Sequence, residues 1–547
     1  MTATVGDVIA AFLEECGVST AFGVISIHNM PILDAFARRN RIRFVPARGE
    51  AGALNMADAY ARVTGGLGVG VTSTGVGAGN AAGSLLEAVN AGTPLLHFTG
   101  NIESNDLDKG RANIHEAPGQ PAMLKAVSKA HFRILAPHQA LGVLREAARA
   151  ALTPPMGPVS IEIPIDIQAS PAPWPDDATP TPVVPLAPVP ALLDRAAERL
   201  IAARRPLLWL GGGARGAAEP ARRLAAMGIG IVTSINGRGV VPEDHPMSLG
   251  AFNLQPAVEK FYASCDLMIA VGSRLRGNET LRFTLKLPQP LIQVDADAAM
   301  DGRAYPAALF VQGDAALFLA GLADRVAGKL KIDPGFAADL AAARAAAVAG
   351  MREALGANYT ALADAVRARL PKGAPWVRDI TLSNSTWGNR HTALGDPRQG
   401  VHSLGGAIGQ GVPMAIGAAL GRPETKTVAL VGDGGFMLAA GEIATAVQER
   451  ANVVYILMND LGYGVIRNIQ DAHYGGRRAY ADLVTPDFAK LAGSVGLAHT
   501  RVQSIAAFER AFEAALAAPG PAIVEVDMTA LGPFAKPFAG PPVRAKS

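Results

Sequence analysis

The chain has 547 residues, which is too long for a single hydrophobic core and predicts three or four domains. Its formal net charge is +3, from 50 basic and 47 acidic residues, and no dense run of lysine and arginine indicates a nucleic-acid partner. The uncharged segment 64–86 is too rich in Gly, Ser and Thr for a membrane helix, and no basic residue precedes Arg38, so neither a membrane span nor a signal peptide is predicted.

The composition is typical of a compact α/β enzyme, with 49% hydrophobic residues and 60 glycines. Cys16 and Cys265 lie far apart in the chain, and two lone thiols are typical of buried residues in a reducing compartment. We therefore expect a cytoplasmic protein that contacts neither membranes nor nucleic acids.

Residues 1–170 alternate between amphipathic stretches and short apolar runs, the pattern of a doubly wound parallel sheet. In chain order the pattern predicts helix 5–16, strand 20–24, helix 32–39, strand 43–46, helix 54–64, strand 68–72 and a last strand over 158–167. The stretch 169–190 is rich in Pro, Ala and Thr and predicts a semi-rigid linker, which sets the first domain boundary.

Residues 191–335 alternate in the same way and predict a second domain. The predicted strands are 206–210, 229–234, 267–271 and 290–294, with a helix from Ala218. Residues 211–216 read GGGARG, a literal GxGxxG after a strand, but residues 231–236 offer no acidic group for a ribose, so the nucleotide signal is weak.

Residues 336–358 predict a helical connector rich in Ala and Arg, and residues 359–547 form a third domain. The tail from residue 533 has scattered Gly and Pro and is expected to be either a flap or a disordered end.

The third domain contains the most informative stretch. An apolar strand over 428–431 leads into Gly432-Asp433-Gly434-Gly435, a helix follows, and a second strand over 453–458 ends in Asn459-Asp460. Such a β-α-β unit has parallel strands, so Asp433 and Asp460 should emerge at the same sheet edge. Carboxylates beside glycine amides suit a divalent cation that holds a diphosphate.

The Gly-Asp-Gly triplet, the 24 residues from Gly435 to Met458 and the Asn-Asp pair resemble the cofactor motif of thiamine diphosphate (ThDP)-dependent enzymes. The family usually has a second Asn where this chain has Asp460. The resemblance implies a Mg²⁺ ion held by Asp433, Asp460 and the Gly462 carbonyl. The cofactor contacts that it implies in this stretch are Asp433, Gly434, Gly435, Asp460, Tyr463, Gly464 and Val465.

Glu50 is the acid to which the resemblance assigns cofactor activation. The stretch RGEAGALNMADAYARVTG, residues 48–65, resembles the first-domain segment of the same family and puts Glu50 on its catalytic glutamate. A carboxyl group hydrogen-bonded to the aminopyrimidine ring favours its imino tautomer, most effectively in an apolar wall. The alternative is a surface glutamate that a helix start favours.

Two further cofactor contacts follow from resemblance. Residues 403–413 resemble the segment beneath the cofactor in acetolactate synthases and benzoylformate decarboxylases, where Ile408 would be the apolar prop that bends the cofactor. Thr386 matches a family diphosphate contact. An ordinary core isoleucine and a loop hydroxyl are the respective alternatives.

Four residues of the first domain fall where relatives place substrate contacts: His28, Ser73, Asn101 and His115. Ser73 stands in place of a histidine of benzoylformate decarboxylases, and Asn101 in place of a glutamine of acetolactate synthases. There is no His-His dipeptide of the pyruvate decarboxylase type. We predict a catalytic set of Glu50, His28, Ser73 and His115, with a satisfied core histidine as the alternative for His28.

The resemblance covers nearly the whole chain and implies an α/β protein of three consecutive doubly wound parallel-sheet domains. These are a pyrimidine-binding domain (1–170), a central domain (191–335) and a diphosphate- and metal-binding domain (359–547). The family's active site lies between two chains, so a homodimer is expected as the minimal active unit and a homotetramer as the assembly.

The expected activity is ThDP- and Mg²⁺-dependent decarboxylation of a 2-oxo acid, with or without carboligation to an aldehyde acceptor. An acetolactate synthase-type carboligase or another ThDP-dependent C–C lyase is the alternative. Two rivals of other classes are a flavin or NAD oxidoreductase that uses the GGGARG loop and a non-catalytic regulatory subunit. Bound FAD in the central domain is the less favoured expectation.

Overall fold

The computed structural model describes residues 3–541 and contains three parallel β-sheets, one from each part of the chain. Helices alternate with the strands throughout. The predicted fold class, an α/β protein of three consecutive parallel-sheet domains, is therefore confirmed. The limits 1–170, 191–335 and 359–547 remain our proposal for the domains. Each range encloses one sheet, and residues 542–547 lie outside the described residues.

The first domain holds six strands: β1 (Thr20–Gly23), β2 (Arg43–Pro46), β3 (Gly68–Thr72), β4 (Leu95–Asn101), β5 (Ala130–Arg133) and β6 (Pro158–Pro164). Its helices are α1 (Val5–Glu15), α2 (Met30–Arg39), α3 (Glu50–Thr64), α4 (Val76–Ala91), α5 (Gln120–Val127), α6 (Ala140–Leu152) and α7 (Ile165–Ala169). The strand order is β2-β1-β3-β4-β6-β5, and all neighbours are parallel.

Two predicted boundaries in this domain are wrong. The strand predicted over 158–167 ends at Pro164, which caps the short helix α7 with an extended backbone. The helix predicted from residue 54 begins at Glu50, because Gly49 is extended and forms its N-cap. Glu50 therefore lies in the first turn of α3, directly after the loop that follows β2.

The central domain has five strands: β7 (Pro206–Leu210), β8 (Gly230–Thr233), β9 (Leu267–Val271), β10 (Leu291–Asp295) and β11 (Leu309–Gln312). Its helices are α8 (Pro190–Ala202), α9 (Ala218–Ala226), α10 (Pro256–Tyr262) and α11 (Ala315–Val326). The order is β11-β10-β9-β7-β8, again all parallel. Of the predicted linker, 169–190, residues 170–189 contain neither helix nor strand; Ala169 ends α7 and Pro190 begins α8.

Helix α12 (Phe336–Arg369) joins the central and third domains and is longer than the predicted connector. Its helical backbone is interrupted at Gly356, where φ is 76° and ψ is 177°. The tail beyond residue 533, expected to be a flap or a disordered end, is docked on α12 as far as it is described. The Phe534 ring lies 4.0 Å from that of Tyr359, between centroids, and Lys536 N donates to Ala354 O at 2.9 Å.

The third domain has six strands: β12 (Trp376–Arg378), β13 (Gly400–His402), β14 (Thr427–Gly432), β15 (Val453–Asn459), β16 (Ala498–Val502) and β17 (Ala522–Asp527). Its helices are α13 (Gly411–Gly421), α14 (Asp433–Leu438), α15 (Glu442–Gln448), α16 (Gly464–His473), α17 (Phe488–Ser494), α18 (Ile505–Ala517) and α19 (Met528–Leu531). The order is β13-β12-β14-β15-β17-β16, all parallel, and a π-helical turn spans Asn384–Gly388.

The first and third sheets share one topology. When the strands of each domain are numbered from its own first strand, both sheets have the order 2-1-3-4-6-5. In both, the chain reverses its winding direction between the first and third strands, β1 and β3 or β12 and β14. Ligands of open α/β sheets bind at such switch points, beyond the carboxyl ends of the strands. The topology therefore predicts one binding edge in each of these two domains.

The first and third domains pack against each other within the chain through α3 and α13. A Cβ atom on Gly417 would lie 2.1 Å from Met56 O, so only glycine allows the two helices this close. Beside them Arg62 is buried, pairs with Asp58 and Glu87, and donates to His402 O at 2.7 Å.

Among residues 3–541, no helix is both long enough and apolar enough to span a bilayer. Cys16 and Cys265 are both free thiols.

Candidate active site

A cavity of about 450 Å³ lies at the switch point of the third sheet, where β14 and β15 end. Nine residues that the sequence analysis singled out line it: Ile408, Asp433, Gly434, Gly435, Asp460, Gly462, Tyr463, Gly464 and Val465. Its volume falls in the range of about 300–1,000 Å³ that is usual for small-molecule sites. The predicted cofactor stretch is thus assembled around one cavity.

Asp433 and Asp460 lie together at the edge of the sheet. The Asp433 carboxylate accepts from Asp460 N at 3.4 Å and from Gly462 N at 2.7 Å. Burial raises the pKa of Asp433, and burial together with the Asp433 charge raises the pKa of Asp460 to about 7. Two buried carboxylates this close repel each other, and a bound cation would relieve that repulsion.

Close backbone packing fixes the second carboxylate. A Cβ on Gly464 would lie 1.6 Å from Asp460 Oδ2, and a Cβ on Gly434 would lie 2.6 Å from Tyr463 Cε1. Gly462 has a φ of 151° and its Cβ would approach Ala481 O at 2.3 Å. Glycines are therefore required at all three positions, and they keep the ends of β14 and β15 narrow enough for backbone to touch a ligand.

Arg467, one turn into α16, neutralises part of this acidic edge. Its guanidinium forms an ion pair with Asp460 Oδ1 at 3.2 Å and with Asp482 Oδ1 at 3.0 Å, and it donates to Asp460 O at 2.5 Å. The extra negative charge of Asp460, where the family motif has Asn, thus lies against a cation of the same chain.

The donor set fits a magnesium-bound diphosphate. Within the described part of the chain, no group of three or more His, Cys, Asp and Glu side chains forms a metal cluster. A hard cation at Asp433 and Asp460 would have to complete its shell with main-chain carbonyl oxygens, water and ligand phosphates, which is how Mg²⁺ is usually bound.

Of two further predicted cofactor contacts, Ile408 and Thr386, only Ile408 lines the cavity. Ile408 lines the cavity and is half-buried. Thr386 does not line it, because Thr386 Oγ1 donates to Leu382 O at 2.7 Å within the π-helical turn. Thr381 and Ser383 line the cavity instead. The diphosphate contact at Thr386 stays a prediction, and Thr386 itself is not among the residues that line the cavity.

Asp379, which the sequence analysis missed, supports the loop beneath the cavity. It is buried at the end of β12 and accepts from Gly409 N at 2.9 Å, from Gly411 N at 3.2 Å and from Ile380 N at 2.7 Å. Burial raises the pKa of Asp379 to about 6. The only sequence signal was an acid after the three-residue strand β12, which is too short to show periodicity.

The switch point of the first sheet brings the other predicted residues together. Glu50 Oε2 accepts from Asn80 Nδ2 at 3.2 Å. A Cβ on Gly77 would lie 2.9 Å from Glu50 Oε1 and 2.8 Å from Ser73 Cβ, so Glu50 and Ser73 flank the same glycine. Glu50 is half-buried, which does not match the alternative of a fully exposed helix-start residue.

His28 and His115, which are far apart in the sequence, lie side by side in the structure. Their ring centroids lie 5.1 Å apart and the rings are tilted by 51°. Burial, followed by the charge of His115, lowers the pKa of His28. His115 has a φ of 64°, a left-handed conformation that is uncommon for a residue other than glycine and concentrates at functional sites.

Several buried polar atoms in this part of the first domain have no hydrogen-bond partner among residues 3–541. The atoms are Ser26 Oγ, His28 Nδ1, Ser73 Oγ, Asn113 Nδ2 and His115 Nδ1, all buried. Asn101 differs, because its Oδ1 accepts from Ile102 N at 2.7 Å. Buried polar groups are normally satisfied, so this cluster is suited to a polar ligand. His28 is therefore not the satisfied core histidine of the alternative reading.

The two edges stay apart within one chain. None of Glu50, His28, Ser73 and His115 is among the residues that line the 450 Å³ cavity with Asp433 and Asp460. The loop before α3 contacts a different part of the third domain, where the Glu442 carboxylate accepts from Arg48 N at 3.0 Å and from Gly49 N at 3.1 Å.

The GGGARG loop lines a second cavity, of about 230 Å³, at the switch point of the central sheet. Three acidic residues line this cavity, none of them from residues 231–236: Glu279, Asp295 at the end of β10 and Asp314 before α11. Its volume is below the usual range of ligand sites, about 300–1,000 Å³.

Three regions of the chain match family models of thiamine pyrophosphate enzymes. Residues 3–124 match the N-terminal TPP binding domain, residues 193–322 the central domain and residues 382–526 the C-terminal TPP binding domain.

Curated relatives match along nearly the whole chain. A protein of Pseudomonas aeruginosa named probable 2-ketoarginine decarboxylase AruI is 34% identical over 535 residues, which cover 96% of this chain and 94% of the relative. Acetolactate synthase 2, chloroplastic, of Nicotiana tabacum is 28% identical, covering 95% and 81%. A probable acetolactate synthase large subunit of Methanocaldococcus jannaschii is 28% identical, covering 91% and 87%.

Proposed function

This chain belongs to the thiamine pyrophosphate enzyme family, and from that premise we propose that it is a ThDP- and Mg²⁺-dependent decarboxylase of a 2-oxo acid. The observation that carries the proposal is a pair of carboxylates, the buried Asp433 and the half-buried Asp460, over a glycine-lined cavity at a sheet switch point. When bound there, ThDP would supply a carbon nucleophile and an electron sink for the pair left by departing CO₂.

The third domain would hold the cofactor. Asp433, Asp460 and the Gly462 carbonyl would bind Mg²⁺ and through it the diphosphate, and Thr381 and Ser383 are suited to donate to phosphate oxygens. Ile408, carried on the loop that Asp379 holds, would support the cofactor from below, beside Gly434, Gly435, Tyr463, Gly464 and Val465.

The first domain would supply the proton chemistry. Glu50 would hydrogen-bond the ring nitrogen of the aminopyrimidine and hold the proton that activates it. His28, Ser73 and His115 offer unpartnered donors and acceptors at the same edge, and they would bind the substrate carboxylate and exchange the proton that replaces CO₂.

The separation of the two edges supports a site shared between two chains. Glu50 belongs to one edge and Asp433 to the other, so a complete site needs a second copy to bring them together. We propose a homodimer as the active unit and a homotetramer as the assembly. The two free thiols fit our placement of the enzyme in the cytoplasm.

Carboligation is the second candidate, because several relatives are named acetolactate synthases. In that reaction a second carbonyl compound would take the place of the proton. A flavin or NAD oxidoreductase gains no support, because the GGGARG cavity is small and the matching domains are those of thiamine pyrophosphate enzymes.

The test is incubation of the purified protein with ThDP, Mg²⁺ and a panel of 2-oxo acids that includes 2-ketoarginine, pyruvate and benzoylformate. We expect CO₂ from at least one of them, with the aldehyde or ligated product identified by mass spectrometry. Asp433→Ala should abolish both CO₂ release and calorimetric ThDP binding. Wild-type ThDP affinity in that variant would overturn the cofactor assignment.

A further inference from the structure

A groove of about 610 Å³ runs along the seam between the central and third domains, and none of the residues that line it lines the cofactor cavity. One wall is α12 and the other is the loop 243–252 together with residues 390–393. Four arginines and one histidine line it: Arg344, Arg352, Arg367, Arg390 and His391. We call it the seam groove.

Three of these arginines have no carboxylate partner. Arg344, Arg367 and Arg390 form no ion pair with any described residue, and their donors reach only main-chain carbonyls. Arg344 donates to Glu243 O at 2.5 Å, Arg367 to His391 O at 3.2 Å and Arg390 to Ala251 O at 3.3 Å. Arg344 and Arg390 are half-buried and Arg367 is exposed. Half-buried guanidinium groups without a carboxylate partner are unusual, because charge that is removed from water is normally paired.

Two carboxylates at or near the groove are already paired with side chains other than Arg344, Arg367 and Arg390. Glu243 binds Arg238 at 2.6 Å, and Asp364 binds both Arg352 at 2.6 Å and His391 Nε2 at 2.8 Å. Asp244 and Glu279 lie close enough to act on Arg344 and Arg390 but pair with neither. Burial lowers the pKa of Arg390 to about 10, and burial with the charge of Arg367 lowers that of Arg344. Arg344 and Arg367 therefore lie close enough for the charge of one to act on the other.

Apolar side chains complete the walls of the groove. They are Leu249, Phe252, Ala341 and Val348. The groove therefore offers both cationic side chains and an apolar wall to a ligand. The planar guanidinium binds carboxylate and phosphate oxygens in pairs, and each such charge-assisted bond is stronger than a neutral one.

The groove is linked to the cofactor cavity by one short segment. Arg390 Nη1 donates to Ser385 O at 3.3 Å and to Thr386 O at 3.5 Å, in the π-helical turn. The residues just before that turn, Thr381, Leu382 and Ser383, line the cofactor cavity. An anion that draws Arg390 towards the groove would loosen the turn from its other side.

We propose that the seam groove is a regulatory site for an organic anion, a carboxylate or phosphate ester on an apolar body, whose binding weakens the hold on ThDP. The proposal goes beyond the decarboxylase assignment and is tested by binding, so its failure leaves that assignment untouched.

The experiment is calorimetric titration of the protein saturated with ThDP and Mg²⁺, with phenyl phosphate, 3-phenylpropionate and inorganic phosphate as probes and benzyl alcohol as the neutral control. We expect saturable binding of the aromatic anions, weaker binding of phosphate and none of the alcohol. Arg344→Gln should weaken binding by at least about tenfold. Ala345→Glu keeps every arginine and adds a carboxylate at the groove wall, and it should do the same.

Matched controls separate this site from general charge and from the active site. Ala346→Glu adds the same charge one residue along α12, and Arg369→Gln removes one from the same helix; neither residue lines the groove, so both should bind as wild type. Equal affinity in Ala345→Glu and wild type would place the anion elsewhere and overturn the site. No binding, with a lower melting temperature of Arg344→Gln, would show that the arginines only tie the domains together.

The regulatory part has its own readout. Saturating anion should lower ThDP affinity by about fivefold or more, and by reciprocity ThDP should lower anion affinity by the same factor. ThDP affinity that does not change with bound anion would overturn the regulatory role.

Discussion

At the scale of single residues, the proposed division of work between the two edges separates binding from proton transfer. Glu50→Gln keeps the size and one acceptor oxygen of the side chain but cannot release a proton. We expect near-normal calorimetric ThDP affinity and a fall in activity of about 10²-fold or more. Deuterium exchange at C2 of the bound cofactor, read by NMR after acid quench, should slow in parallel.

The control for that measurement is Glu442→Gln. Glu442 carries a carboxylate that is more deeply buried than that of Glu50 and contacts the loop before α3, but it does not lie beside Gly77. It should leave the exchange rate largely unchanged. An exchange rate of Glu50→Gln equal to that of the wild type would rule out Glu50 as the activating acid.

The histidine pair makes a prediction about pH. Burial and the charge of His115 lower the pKa of His28, so His28 takes up a proton less readily than an ordinary histidine. His115→Gln removes the second cause, and the pKa of His28 should rise towards its ordinary value. The acidic limb of the kcat/KM profile should therefore move to higher pH.

His138→Gln is the matched control, because His138 lies on the surface turn before α6 and contacts neither histidine. It should leave the profile as in wild type. A limb that keeps its position in His115→Gln, with only the maximal rate changed, would contradict coupling between the two rings.

At the scale of elements, loop 403–411 depends on a residue of another strand. Asp379 at the end of β12 accepts from the amides of Gly409 and Gly411, on either side of the loop's last turn. In Asp379→Asn the new NH₂ group would lie opposite at least one of the three backbone N–H groups that now donate to the carboxylate. That N–H would lose its acceptor, and a buried donor without an acceptor costs about 1–3 kcal/mol of stability. We expect ThDP affinity to fall by about tenfold, measured by calorimetry.

The comparison variant is Asp364→Asn, which changes a carboxylate of α12 outside the cofactor cavity. It should bind ThDP as the wild type does. If both variants lose affinity equally, the loss reflects general destabilisation of the third domain and not the position of Ile408.

At the scale of the whole molecule, the shared topology of the first and third sheets provides two switch-point edges that one chain does not join. If each active site combines the first-domain edge of one chain with the third-domain edge of the other, a dimer of two differently mutated chains keeps one intact site. Glu50→Ala and Asp433→Ala should each be inactive alone. On co-expression about half of the dimers are mixed and each has one intact site, so about a quarter of wild-type activity should return.

A site formed within one chain would always carry one lesion and recover nothing. Mixed dimers can be confirmed by two different affinity tags purified in sequence. Activity near zero in a fraction that carries both tags would contradict the shared site.

The sequence by itself determined the fold class and the cofactor edge. Alternating helices and strands predict parallel sheets. In a β-α-β unit the two strands are parallel and end at the same edge of the sheet, so the residues that follow them, Asp433 and Asp460, lie close together. These constraints are local in the chain, which is why pattern and spacing are enough to predict them.

Only the tertiary structure decided the remaining features, because each depends on residues that are distant in the chain. Three such features arise from loops that fold over strand ends: the His28–His115 pair, the hydrogen bonds by which Asp379 holds the loop of Ile408, and the position of Thr381 and Ser383 in the cavity wall. The seam groove needs two domains packed on α12. Loop geometry and domain packing depend on contacts between residues that are far apart in the chain, and such contacts cannot be predicted from local patterns and motif spacing.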